Sequence, residues 1–191
     1  EGIETMGQLN LKELAGYIKH DNLLDASLGM AGVNAGIPHQ EEYFTEVNAF
    51  EIIKEKGAGK TISVIGDFPF VGKLKKHAAQ VNVFEKKPGP GFYREEDMPE
   101  ILPQSDLVVI SGTTIFNHTL EGILDNCSQE SFKLMLGPST PLTTVMFDLG
   151  IDAVGGVLVE DDQEVLKYIS RAAPFKFLKG KRFITMLKDK D

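Results

Sequence analysis

The stretch Thr61-Ile62-Ser63-Val64-Ile65-Gly66-Asp67-Phe68-Pro69-Phe70-Val71-Gly72 constrains this chain more than any other. A β-branched apolar run ends in glycine, crosses a tight turn and enters a segment patterned with apolar residues and lysines. That is how the first β-α unit of a doubly wound α/β sheet reads. Ligands of such sheets gather at the carboxyl ends of the strands, where the strand order reverses, so the loop Gly66 to Phe70 is the first place to look for function. The G-x-G-x-x-G fingerprint is missing, because Phe68 and Val71 stand where the second and third glycines would. A standard dinucleotide grip is not expected.

Further strands follow at Val81–Glu85, Asp106–Ile110, Lys133–Leu136 and Ala153–Val159, the last interrupted by Gly155-Gly156. Between them the pattern predicts a helix from about Phe70 to Ala79 and a short one near Pro99–Leu102. A single helix after the third strand carries Ile115, Phe116, Leu120, Ile123, Leu124 and Cys127 inward. Thr140 as N-cap with Pro141 at the first helical position predicts a helix start, and Gly150 its stop. The loop Lys86 to Gly91 is too rich in proline and glycine to be regular. In the tail, Phe175–Leu178 and Arg182–Leu187 around Gly180 read as a hairpin. The fold class is α/β: a Rossmann-like parallel sheet flanked by helices, with a short N-terminal helical segment and a C-terminal β-hairpin. Right-handed crossovers on both sides of the first strand predict the order 3-2-1-4-5.

Upstream, Asn10 caps a helix over about Leu11–Lys19, and a second runs from about Leu23 to Gly36. Ala26, Gly29, Gly32 and Gly36 share one face of the latter. Each interior glycine costs roughly 1 kcal/mol relative to alanine, so a close backbone approach is expected to use them. The approach is either packing on the sheet or a neighbouring helix, or a ligand cleft faced by Asn34. His39, Glu41 and Glu42 lie in the connecting loop and read as solvated surface.

A formal net charge of −8 speaks against nucleic acid and leaves no polybasic membrane patch. No apolar run approaches the roughly 20 residues of a membrane span, and no secretory pattern opens the chain, so a cytoplasmic protein is expected. Cys127 is alone, which rules out an internal disulfide and a cysteine-rich metal site. The first residue is Glu1, as after processing, tagging or truncation, and Glu1 to Gly7 carry no structural weight. No Ser-His-Asp order, nucleophile elbow, P-loop or H-E-x-x-H is present, so the sequence names no reaction and leaves open whether the protein is an enzyme.

Three strand-end loops carry the candidate chemistry: Gly66 to Phe70, Ser111 to Thr114, and Gly137 to Pro141. Each is expected to open a helix whose free N–H groups favour an anionic or nucleotide-like ligand, with hydroxyls from Ser111, Thr113, Thr114, Ser139 and Thr140. The plainer alternative is that these are caps. Glu85 ends the second strand where an acid would hold a ribose hydroxyl, or it is solvated. Asp67 either binds a cation or stabilises its turn. His118 joins them only if its helix lies beside the first strand. Asp67, Glu85 and His118 would suit a divalent metal such as magnesium, manganese or, less well, zinc.

Asp25-Ala26-Ser27-Leu28-Gly29-Met30-Ala31-Gly32-Val33-Asn34-Ala35, Val64-Ile65-Gly66-Asp67-Phe68-Pro69-Phe70 and Gly137-Pro138-Ser139-Thr140-Pro141-Leu142, with Phe147 and Gly150, resemble a heavy-metal chelation family of unknown function. The likeness covers roughly Leu9 to Leu187. It implies a Rossmann-like C-terminal domain packed on an N-terminal domain like that of enolase, with a site between them. The start of this chain matches only the end of that N-terminal domain. Residues 1–45 would be its helical remnant and 46–191 the Rossmann-like domain. The resemblance places Asn34, Gly66, Asp67, Glu85, Ser111, Thr113, Gly137, Pro138 and Thr140 in the cleft, joined by Phe68 and Ser139 from the loops. It implies a small molecule or metal ion as partner, and a homo-oligomer or a second chain to supply the missing strands. The alternative is a non-enzymatic scaffold that binds a protein through its glycine-rich helix.

Overall fold

A strand that is apolar toward both faces belongs inside a sheet covered on both sides, and the arrangement of this chain follows from where such strands fall. The computed structural model describes residues 7–86 and 89–188. In order they form α1 (Leu11–Gly16), α2 (Leu23–Gly36), β1 (Phe44–Thr45), α3 (Ala49–Lys56), β2 (Thr61–Ile65), α4 (Val71–Leu74), β3 (Gln80–Phe84), α5 (Met98–Ile101) and β4 (Leu107–Ser111). There follow α6 (Thr113–Phe116), α7 (Leu120–Asn126), β5 (Phe132–Leu136), α8 (Val145–Asp148), β6 (Ala153–Val159), α9 (Asp162–Ile169) and β7 (Lys181–Leu187). The opening residues Glu1–Met6, and Lys87 and Pro88 of the proline-rich loop, lie outside the described residues.

The seven strands form one mixed sheet in the order β1-β7-β6-β5-β4-β2-β3. β3, β2, β4, β5 and β6 are parallel, while β7 runs antiparallel to both β6 and β1. The fold class is therefore α/β as expected, but the strand order is not 3-2-1-4-5. That order would leave Leu107–Ile110 at an edge, whereas all four residues are fully buried in the middle of the sheet. The edge goes instead to β3, whose Gln80 and Asn82 satisfy each other at 2.8 Å. An antiparallel C-terminal strand is present, but its partner is β6. Phe175–Phe177 is a 3-10 turn.

Alternating side chains split the core in two. Val64, Val109, Leu134 and Ala153 meet Ile52 and Ile53 of α3 and Val71 and Leu74 of α4 on one face. Ile65, Val108, Ile110 and Met135 meet Met98, Leu120, Ile123 and Met146 on the other. The paired glycines do not interrupt β6. A Cβ at Gly155 would lie 3.0 Å from Ala49 Cβ, and one at Gly156 would lie 3.0 Å from Leu142 Cδ2, so they admit α3 on one face and the Leu142 segment on the other.

The glycine face of α2 is occupied by its own neighbour. A Cβ at Gly29 would fall 1.9 Å from the backbone N of Ile18, and one at Gly32 would fall 2.8 Å from that of Ala15. The face thus packs against α1 and the 3-10 turn Tyr17–Lys19, which removes it as the docking surface a scaffold role required. α1 begins with a capping box in which Asn10 and Glu13 exchange hydrogen bonds at 2.9 and 3.0 Å. Among the described residues no helix is long and apolar enough to cross a membrane.

Candidate functional site at the switch point of the sheet

The chain passes from β2 outward to β3, then back over β2 to β4, so the strand order reverses between β2 and β4. A crevice of about 420 Å³ opens there, beyond the carboxyl ends of these strands. Gly66 makes the closeness possible: its φ is 109°, and a Cβ on it would lie 3.3 Å from that of Ser111. Of the residues expected from sequence, Gly66, Glu85, Ser111, Thr113 and His118 line the crevice. Asp67 and Phe68 do not. Asp67 is exposed, and Phe68 stacks on Phe70 with ring centroids 5.1 Å apart. Asn34, Gly137, Pro138, Ser139 and Thr140 are also absent from its walls.

Glu85 is held by main chain. Its Oε2 accepts from Asp67 N at 3.2 Å and its Oε1 from Lys86 N at 3.0 Å, which pins the turn after β2 to the end of β3. Each carboxylate oxygen keeps a further lone pair for a ligand. Across the crevice the Ser111 and Thr113 hydroxyls bond at 2.9 Å, and Thr114 Oγ1 donates to Ser111 O at 2.8 Å. The single helix expected after β4 is broken. Asn117 Oδ1 accepts from both N and Oγ1 of Thr119, at 3.2 and 2.6 Å, and a side chain that captures local donors in this way competes with the helix. His118, at the break, takes φ 60°. Its Nε2 donates to His20 O at 3.1 Å, tying the N-terminal helices to the body of the protein.

Among the described residues no three His, Cys, Asp or Glu side chains converge on a point where a metal could sit. The structure thus does not bring Asp67, Glu85 and His118 together as a ligand set. Cys127 adds nothing to them: burial pushes its thiol from 9.0 up to about 11, against a smaller opposite pull from Lys133. The pattern reading also missed Glu95, Asn117, Thr119 and Asn126, which line the crevice. Glu95 sits in a 3-10 turn without periodicity. The Asn117-x-Thr119 turn was the one local signal available.

The helix starts at the strand ends offer an anion little. The helices after β2, β4 and β5 are each four residues long and have no side-chain cap. Their leading N–H groups are taken: Val71 N by Phe68 O at 3.0 Å, Thr113 N by Ser111 Oγ at 3.3 Å, and Val145 N by Thr143 Oγ1 at 3.4 Å. The cap predicted at Thr140 is displaced as well. Leu142 turns inward over Gly156, and the helix waits until Val145, with Thr144 N donating to Gln40 Oε1 at 3.0 Å. Thr140 is left buried beneath α2, where Asn34 Nδ2 donates to Ser139 O at 3.1 Å.

A family model described as "Putative heavy-metal chelation" (DUF364) matches residues 48–188. The uncharacterized protein MJ0500 of Methanocaldococcus jannaschii is 29% identical over 181 residues, 90% of this chain and 69% of that protein. Two solved structures of DUF364 proteins of unknown function are similar in fold. One, from Desulfitobacterium hafniense, has a TM-score of 0.80 at 24% identity, covering 98% of this chain and 80% of its own. The other, from Pyrococcus horikoshii, has a TM-score of 0.80 at 22% identity, covering 93% and 74%. Since the family model spans most of the sequence, this chain belongs to the DUF364 family, described as "Putative heavy-metal chelation".

Proposed function

We propose that the protein binds a small metal complex, in which the metal arrives with ligands of its own, in the crevice between β2 and β4. The observation that carries this is the pairing of ample room with few donors. About 420 Å³ is lined by Glu85, Glu95 and His118, yet no three ligating side chains converge among the described residues. A bare ion would find an incomplete shell of oxygen and imidazole donors, with no thiolate to favour a soft metal. A chelated ion needs one or two protein donors, and its organic part fills the remaining volume against the Ser111 and Thr113 hydroxyls. In this reading Glu85 and His118 reach the metal, while Asp67 serves the turn. A nucleotide-like ligand is the lesser reading: Glu85 could accept a ribose diol, but the short helices offer phosphates little.

Calorimetric titration with Ni²⁺ alone and with the nickel–histidine complex tests the proposal. Binding of the complex is expected, with the bare ion weaker than about 1 mM, or about −4 kcal/mol. Glu85→Gln and His118→Asn should each weaken the complex at least tenfold; Asn tolerates the positive φ at that position. Equal affinity for ion and complex, or no binding of either, would defeat the proposal.

A further inference from the structure

The far end of the β6–β7 hairpin leaves a sheet face open. Side chains alternate between the faces of a strand, so Ala153, Gly155, Val157 and Val159 of β6 share a face with their β7 partners Leu187, Thr185, Phe183 and Lys181. Helix α3 covers this face as far as Gly155, where a Cβ would meet Ala49. Beyond that point Val159 and Phe183 are each more than half exposed. Val47 adjoins the Thr185 end, where its carbonyl accepts from Thr185 Oγ1 at 2.8 Å. Phe175 adjoins the Lys181 end, its ring centroid 6.1 Å from that of Phe183, and Phe177 follows in the same 3-10 turn. Together Val47, Val159, Phe175, Phe177 and Phe183 are 40–61% exposed. The two ends differ in charge. Glu46 lies beside Val47 with its side chain 80% exposed, 3.5 Å from an Arg182 that Glu160 holds closer, at 2.7 Å. Lys176 and Lys179 flank the phenylalanines at the other end and have no ion pair among the described residues.

We infer that this face is the interface of a two-fold homodimer, in which the patch packs on its own copy with the two β7 strands running in opposite directions. Size and charge both select a second copy. Five side chains of this kind, each about half exposed, present on the order of 450 Å² of apolar surface. A standard interface removes about 800 Å² from each partner, of which roughly 60% is apolar, so the patch supplies what one needs. A two-fold axis through the patch sets the Thr185 end of one copy against the Lys181 end of the other. Glu46 then meets Lys176 and Lys179 of the second copy, and the same contact occurs twice. Lys181, at the centre, brings no unpaired ammonium: its Nζ already donates to Leu178 O and lies 5.1 and 5.2 Å from the Phe175 and Phe183 rings. An anionic lipid surface would fit the lysines, but Glu46, Glu160, Asp161 and Asp162 around the same hairpin oppose it. None of the patch residues lines the crevice, so the dimer stands or falls separately from the metal-complex reading.

The test is sedimentation velocity over a dilution series reaching about 100 µM, where a dimer of micromolar dissociation constant is mostly populated. A concentration-dependent dimer is expected. Phe183→Asp and Phe177→Asp, both at exposed positions, should each weaken it at least tenfold while leaving the circular dichroism unchanged. Glu46→Lys should weaken it too. Adding Lys176→Glu and Lys179→Glu to that variant should restore it, because the axis then pairs the reversed charges again. Three outcomes would each overturn the inference: a monomer throughout, a dimer indifferent to both phenylalanine substitutions, or no rescue in the triple variant.

Discussion

Replacing Thr140 by valine should make the ligand-free protein more stable, although the position is buried and polar. Valine reproduces the branched shape of threonine and exchanges only the hydroxyl for a methyl group. In most proteins this exchange loses a hydrogen bond worth about 1 kcal/mol. Here the hydroxyl has no partner among the described residues, so folding removes it from water without recompense. An unsatisfied buried group of this kind costs about 1–3 kcal/mol. The methyl is bulkier than the hydroxyl it replaces, and Gly112 and Gly137 lie near, which points to the lower end of that range. The expected gain is about 1 kcal/mol, a rise in Tm of roughly 2–4 °C for a chain of this size. Urea unfolding of the two proteins at equal m-values measures it, since a change in midpoint at constant slope is a change in stability. A loss of about 1 kcal/mol or more would mean that the hydroxyl is satisfied after all and would refute the reasoning.

Two further substitutions probe other parts of the fold. Gly29→Ala should unseat α1 from α2, because its Cβ would lie 1.9 Å from the Ile18 backbone N. Overpacking of about 1–3 kcal/mol outweighs the roughly 1 kcal/mol gained in helix propensity, and hydrogen exchange should rise across Leu11–Lys19. At Cys127 the folded thiol titrates near 11 against an ordinary 9.0, so its contribution to stability is intact below pH 9 and is lost as pH rises through 11. Native Cys127 should resist iodoacetamide at pH 8, and Cys127→Ala should flatten the alkaline fall in stability; rapid alkylation at pH 8 would contradict the burial.

The parts of the fold legible in the sequence were those decided by short-range pattern. Val64 to Gly66 reads as a buried strand running into a turn, and Leu107–Ile110 reads as a strand with no polar face. Strand order needed a comparison between strands, and the clue was present. Gln80 and Asn82 set two polar residues in β3 that bond each other, whereas Leu107–Ile110 has none and is buried throughout. Thr140-Pro141 failed for a different reason. As a local helix signal it is sound, but it is overruled by Leu142 packing on Gly156 and by the hydrogen bond from Thr144 N to Gln40, 104 residues away. The helix break at Asn117 was readable only as an Asx turn, and a continuous apolar pattern across it hid the turn that delivers His118 to the crevice. Glu95 was out of reach because irregular segments carry no period to read.

The short helices at the strand ends limit what kind of ligand the fold can hold. A doubly wound sheet that grips phosphate does so with a long helix whose first N–H groups are free. This chain has shortened the three candidate helices to single turns and bonded their leading amides internally. What faces the strand ends is instead a mixed lining: the carboxylates of Glu85 and Glu95, the imidazole of His118, the hydroxyls of Ser111 and Thr113, and Lys86. Two carboxylates and an imidazole suit a metal centre that brings ligands of its own, and the hydroxyls beside them suit its organic part.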